Sequence, residues 1–94
     1  MALIISTRIG AKLLTKHNVT RDDVEECFAT REKGFLEDTR EEHRTDPPTQ
    51  WFISETFLGR KLKVVFVLQD GDIYIKSAFE PFDVELHIYN KFAK

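Results

Sequence analysis

An Asp70-Gly71 dipeptide joins two long runs of β-forming residues, and this turn constrains the fold more than any other feature of the sequence. Asp-Gly is typical of the two-residue loops that connect antiparallel strands. The flanking runs, KLKVVFVLQ (61–69) and DIYIKSAF (72–79), are rich in β-branched and aromatic residues, which strands favour. The sequence therefore predicts a β-hairpin over residues 61–79.

Pairing across this turn predicts which side chains share each face of the hairpin. We expect four pairs on the core face: Leu68 with Ile73, Phe66 with Ile75, Val64 with Ser77, and Leu62 with Phe79. The other face is expected to be mixed apolar and basic: Val67 with Tyr74, Val65 with Lys76, Lys63 with Ala78, and Lys61 with Glu80. The preceding run leaves open which alternate set is buried: Trp51, Ile53 and Phe57, or Phe52, Ser54 and Thr56.

The remaining segments predict helices before and after this sheet. Residues 2–6 predict a short edge strand. Ser6 or Thr7 is expected to cap the first helix and Thr20 the second, and Cys27 is expected to be buried on the apolar side of the second helix. Residues 35–39 predict a short strand, and Pro47-Pro48 a break. The last helix is expected to begin near Pro81 and to pack on the sheet through Phe82, Leu86, Tyr89 and Phe92. The predicted fold class is α+β: two helices, an antiparallel sheet of three to four strands, and a C-terminal helix.

Composition and length indicate one folded domain over residues 1–94. A single cysteine, Cys27, excludes an intramolecular disulfide, which favours the cytoplasm. The first ten residues contain too short an apolar run for a signal peptide or a membrane span. We therefore expect a cytoplasmic protein without membrane contact.

Charge is distributed unevenly around a formal net charge of -2. Residues 21–46 carry ten acidic and five basic side chains, whereas the rest of the chain is net basic. One interpretation is a basic face for phosphates and an acidic face, including Asp22 to Glu26, for a basic partner protein. The other is two ordinary solvated surfaces.

Candidate chemistry centres on the pentad REEHR at 40–44. His17, His43 and His87 have no second ligand at a metal-site spacing, and no phosphate-binding glycine loop is present, so neither a metal nor a cofactor is expected. RNA cleavage without metal needs a base, an acid and fixed cations. We predict a catalytic group of His43, Glu42 and Arg44, and RNA contacts from Arg40, Arg60, Lys61, Lys63, Tyr74 and Lys76. The alternative is a solvated loop, with the sheet lysines protecting an edge from aggregation.

Four short segments resemble BrnT-type proteins: KHNV (16–19), GRKLKVVF (59–66), IKSAFEP (75–81) and ELHIY (85–89). BrnT-type proteins are ribonuclease toxins of type II toxin-antitoxin pairs. The resemblance implies a RelE-like fold, cleavage of RNA, and an antitoxin partner, for which a ribbon-helix-helix protein is one candidate. The family's SAR at the end of the last strand is SAF here, which replaces a cation with Phe79.

Two other functions stay open. The first is a non-catalytic binding protein that uses its acidic helix. The second is hydrolysis of ADP-ribosylated protein, since the stretch FLEDTREEHRTDPPTQWFISET is similar to small bacterial proteins labelled ADP-ribosyl-(dinitrogen reductase) hydrolase. The RNA target and the oligomeric state are also open, and a homodimer is among the alternatives.

Overall fold

The computed structural model describes residues 2–38 and 46–94, which form three helices and one five-stranded sheet. The elements are β1 (Leu3–Ile4), α1 (Thr7–His17), α2 (Arg21–Thr30), β2 (Leu36–Glu37), β3 (Thr49–Glu55), β4 (Lys61–Gln69), β5 (Asp72–Phe79) and α3 (Asp83–Phe92). The predicted α+β class is confirmed. Among the described residues, no helix has both the length and the apolar character that a bilayer span requires.

The strands lie in the order β1-β5-β4-β3-β2. β1 runs parallel to β5, and the other neighbours are antiparallel. The predicted antiparallel sheet of three to four strands was therefore one or two strands short, and it was wrong about the direction of one pair. β1 and β2 have only two residues each, too few for side-chain alternation to indicate their partner or direction.

The hairpin between β4 and β5 forms at the predicted turn. Asp70 and Gly71 have φ angles of 53° and 83°, as a two-residue loop with two positive φ values requires. Leu68 lies opposite Ile73, and Phe66 opposite Ile75, which confirms the two predicted core pairs nearest the turn.

A β-bulge at Lys76 changes the pairing beyond Ile75. Val64 lies opposite Ala78 instead of Ser77, and Lys63 lies opposite Phe79, so the pairs predicted for this part of the hairpin are wrong. The extra residue shifts the register by one position. The shift places the small Ala78 side chain in the core, where it is fully buried.

Both faces of β3 are covered, which answers the question that the sequence left open. Phe52 is fully buried on the α2 face, where its ring centroid lies 4.7 Å from that of Phe28. Neighbouring side chains alternate between faces. Trp51 consequently points to the opposite face, where its ring lies 5.7 Å from that of Tyr89 in α3.

Four phenylalanines form the centre of the core on the α2 face. Every pair among them is in ring contact, with centroid distances from 4.7 to 6.3 Å; the four are Phe28, Phe35, Phe52 and Phe66. Most of these contacts are edge-to-face, the arrangement that the ring quadrupole favours. This cluster joins α2 to β3 and β4.

The caps of the two N-terminal helices form as predicted. The Ser6 hydroxyl accepts a hydrogen bond from the Ile9 N–H at 3.1 Å. Thr20 and Asp23 form a reciprocal capping box at the start of α2. α1 ends at Asn18, whose left-handed φ of 53° closes the last turn.

The C-terminal helix starts later than predicted, and part of its predicted apolar stripe is exposed. It begins at Asp83 rather than at Pro81, and Glu85 accepts a hydrogen bond from the Phe82 N–H at 2.8 Å. Tyr89 is buried against the sheet, but Phe82 and Phe92 are 70% and 58% exposed. Only part of the predicted apolar stripe therefore packs against the sheet.

Candidate functional site

A cleft of about 660 Å³ lies where the end of α1, the start of β4 and the end of β5 meet. It combines cationic, aromatic and hydrogen-bonding side chains. Its lining residues are Thr15, Lys16, His17, Asn18, Arg60, Phe79, Glu80 and Phe82.

Arg60 is held firmly in this cleft. Its Nη1 and Nη2 donate hydrogen bonds of 2.7 Å to the carbonyl oxygens of Asn18 and His17. Nη2 also lies 3.7 Å from Oε1 of Glu80. A guanidinium has five N–H donors, so two bonds to carbonyls leave others to meet an anion. Arg60 thus closes the C-terminal end of α1 and places a fixed positive charge in the cleft.

His17 is the imidazole of the cleft. It is half-buried, and its ring centroid lies 5.6 Å from that of Phe79. Lys16 precedes it at the end of α1 and is exposed. An imidazole is the side chain most often used in general acid-base catalysis. The cleft therefore places a group able to move protons beside two cations.

Two aromatic side chains add a surface for stacking. Phe79 is partly buried at the end of β5, and Phe82 is 70% exposed before α3. Unpaired RNA bases stack on such rings. Phe79, the last residue of the SAF sequence at 77–79, thus lies inside the cleft.

The predicted catalytic group lies outside the described residues. Glu42, His43 and Arg44, together with Arg40, fall in residues 39–45. Their predicted roles stay predictions. Arg60 is the predicted RNA contact that lines the cleft.

The other predicted RNA contacts do not meet at one place. Lys61 is exposed and lines a separate cavity of about 210 Å³ with Glu55 and Tyr89. Tyr74 is half-buried in β5, and Lys76 is exposed at the bulge.

The prediction that Lys63 lies on an open sheet face is wrong. α3 covers this part of the sheet, so only 9% of the residue is exposed. The Lys63 Nζ donates a hydrogen bond of 2.6 Å to Oε2 of Glu85 and lies 4.5 Å from the Trp51 ring centroid. The Lys63 side chain thus takes part in the packing between the sheet and α3.

Most of the acidic helix is used within the fold. Asp23 caps α2, Glu25 pairs with Arg21 at 3.2 Å, and Glu26 accepts a hydrogen bond of 2.8 Å from the Phe57 N–H. Of the four carboxylates predicted as a docking face, three therefore have a partner in this chain.

His17 was not among the predicted site residues, although it lies in KHNV, one of the segments that resemble BrnT-type proteins. From the sequence, its imidazole was a candidate only for metal binding. Three of these segments line this cleft: KHNV through Lys16, His17 and Asn18, GRKLKVVF through Arg60, and IKSAFEP through Phe79 and Glu80. The segments that carry the resemblance were the available signal, because the spacing between them does not indicate that they meet.

Within residues 2–38 and 46–94, no three His, Cys, Asp or Glu side chains are grouped so that they could hold a metal ion. The predicted burial of Cys27 is confirmed, since its side chain is fully buried and its Sγ lies 3.9 Å from the Ser54 carbonyl oxygen. Burial, with added effects of Asp23 and Glu26, raises the pKa of the Cys27 thiol to about 12. The thiolate needed for a nucleophile is therefore disfavoured.

We expect the Cys27 thiol to make folding sensitive to alkaline pH. The unfolded thiol ionises near its ordinary pKa of 9.0, whereas the folded thiol stays neutral until about 12. Stability from this group is complete below pH 9 and falls at higher pH by about 1 kcal/mol per pH unit. Urea denaturation between pH 8 and 11 measures it, with Cys27→Ala as the reference. Equal alkaline slopes for the two proteins would contradict the prediction.

No protein-family model and no curated protein matches the chain.

Proposed function

We propose that the chain is a BrnT-like toxin of a type II toxin-antitoxin system that binds and cleaves RNA without a metal ion. The observation that carries the proposal is the cleft in which three of the resemblance segments meet and contribute His17, Arg60 and Phe79, with Phe82 beside them in the lining. Antitoxin binding would hold this activity in check.

The proposed reaction is attack of a ribose 2′-oxygen on the adjacent phosphorus. A base accepts the 2′-hydroxyl proton, the bond from phosphorus to the 5′-oxygen breaks, and an acid protonates the leaving oxygen. His17 is suited to one of these proton transfers, and His43 is the sequence-based candidate for the other. Arg60 and Lys16 would stabilise the charged phosphorane, and Phe82 would stack a base.

The alternative of an acidic docking helix has less support, because Asp23, Glu25 and Glu26 are each engaged within the chain. Hydrolysis of ADP-ribosylated protein has no specific observation in its favour among the described residues. We therefore retain the RNA proposal alone.

Lys16→Glu is expected to weaken binding of single-stranded RNA by about tenfold and to lower the salt dependence by about one phosphate contact. Lys12→Glu is the matched control, because it makes the same charge change on exposed α1 surface outside the cleft. Fluorescence anisotropy across a salt series measures both. Equal losses for the two variants would show a general charge effect and contradict the cleft assignment.

Cleavage is tested on the same RNA with chelator present. We expect cleavage by the parent, and loss of cleavage with retained binding for His17→Asn and for His43→Asn. No cleavage at high protein concentration would overturn the enzymatic proposal, and cleavage by His17→Asn at the parent rate would remove His17 from it. A ribbon-helix-helix protein encoded in the adjacent reading frame would support the toxin-antitoxin assignment.

A further inference from the structure

α3 carries an apolar row that residues 2–38 and 46–94 leave exposed. Val84, Ile88 and Phe92 recur every four residues and are 63%, 38% and 58% exposed. Residues at this spacing lie one above another on a helix. The row borders a groove of about 720 Å³ whose apolar lining continues onto Leu36 and Trp51.

This groove is not suited to RNA. The lysine that lines it, Lys63, is already paired with Glu85, and Glu37 on the neighbouring strand is exposed and acidic. Residues 39–45 come directly after Asp38, which lines the groove, and their sequence, TREEHRT, contains no hydrophobic side chain. The groove therefore fits an apolar protein surface.

The charged residues beside the row are arranged so that two copies of α3 in antiparallel orientation would bring opposite charges together. Asp83 lies at the N-terminal end of α3 and Lys91 at its C-terminal end, and with His87 they form a second row at the same four-residue spacing. Both charged residues are exposed. If two such helices pack antiparallel, acidic ends meet basic ends twice, and the helix dipoles are also opposed favourably.

From these observations we propose that the α3 face binds a second copy of this chain as a two-fold symmetric dimer. The axis passes near Ile88, so that Ile88 faces its equivalent and Val84 faces Phe92 of the second copy. In the same register, Asp83 lies beside Lys91 of the second copy. Such an interface is isologous, because one patch pairs with itself. The groove shares Phe82 with the RNA cleft, but Asp83, Ile88 and Lys91, which the tests below change, do not line that cleft.

The test is the molar mass of the intact chain across a concentration series by sedimentation equilibrium. We expect a dimer whose dissociation constant rises about thirtyfold or more in Ile88→Lys, since a central apolar contact is replaced by charge. Leu14→Lys is the control, because Leu14 is also an exposed apolar side chain, at 54%, but lies on α1. It should dimerise as the parent does.

A charge exchange tests the antiparallel register. Asp83→Lys and Lys91→Asp should each weaken the dimer, because each places like charges together, whereas the double variant should restore it. Asp83, Ile88 and Lys91 are all exposed, and circular dichroism of each variant checks that α3 stays folded. A monomeric parent throughout the series, a fully dimeric Ile88→Lys, or no recovery in the double variant would each overturn the proposal. RNA binding is measured separately and does not enter these outcomes.

Discussion

Replacing Phe66 with alanine is expected to lower the free energy of unfolding by about 3–5 kcal/mol. Phe66 is fully buried in β4, and its ring lies 4.8 Å from that of Phe35 and 5.6 Å from that of Phe28. The substitution removes apolar surface that folding takes out of water and leaves a cavity that the neighbouring rings cannot fill. Because domains are stable by only about 5–15 kcal/mol, this loss is a large share of the total.

Urea denaturation followed by circular dichroism measures this effect. Phe57→Ala is the matched control, since the same atoms are removed from a side chain that is 70% exposed, and a change within about 0.5 kcal/mol is expected. Phe66→Leu keeps more of the volume and gives a smaller loss that can still be measured if the alanine variant unfolds. A loss for Phe66→Ala equal to that for Phe57→Ala would contradict the role of the cluster.

The sequence was sufficient where the determinants of structure are local. Thr20 predicted a helix start, because its hydroxyl can accept a hydrogen bond from a nearby backbone N–H, and Asp70-Gly71 predicted a turn, because both residues accept positive φ angles. The bulge at Lys76 was not predictable from alternation. A run of β-forming residues has the same composition with or without one extra residue, so the sequence does not show that Ala78 rather than Ser77 pairs with Val64 and enters the core.

The site required contacts that are distant in sequence. Arg60 was predicted from residue type, but its hydrogen bonds to the carbonyl oxygens of His17 and Asn18 join residues more than 40 positions apart. No periodicity in the chain encodes that contact. Lys63 is a second example. The alternation of side chains predicted its face of the sheet correctly, but its burial depends on α3, which is distant in sequence.

Replacing Lys63 with methionine is expected to lower the free energy of unfolding by about 3 kcal/mol, at the low end of the range for breaking buried ion pairs. The Lys63 and Glu85 side chains are 11% and 18% exposed, so removal of the ammonium leaves a poorly solvated carboxylate. The cation also loses its position 4.5 Å from the Trp51 ring centroid. Methionine retains the apolar part of the lysine side chain, so the lost free energy of unfolding comes mainly from removal of the positive charge.

Adding Glu85→Gln to Lys63→Met is expected to recover most of that loss. The glutamine has no charge to leave unpaired, and its side-chain oxygen can still accept the hydrogen bond from the Phe82 N–H. Lys61→Met is the control, since it removes an exposed lysine from the same strand two residues earlier. Urea denaturation of these variants gives the coupling energy between the pair. If Lys63→Met were as stable as Lys61→Met, the ion pair between Lys63 and Glu85 would contribute no measurable stability. The packing of α3 on the sheet would then depend on the contact between Trp51 and Tyr89.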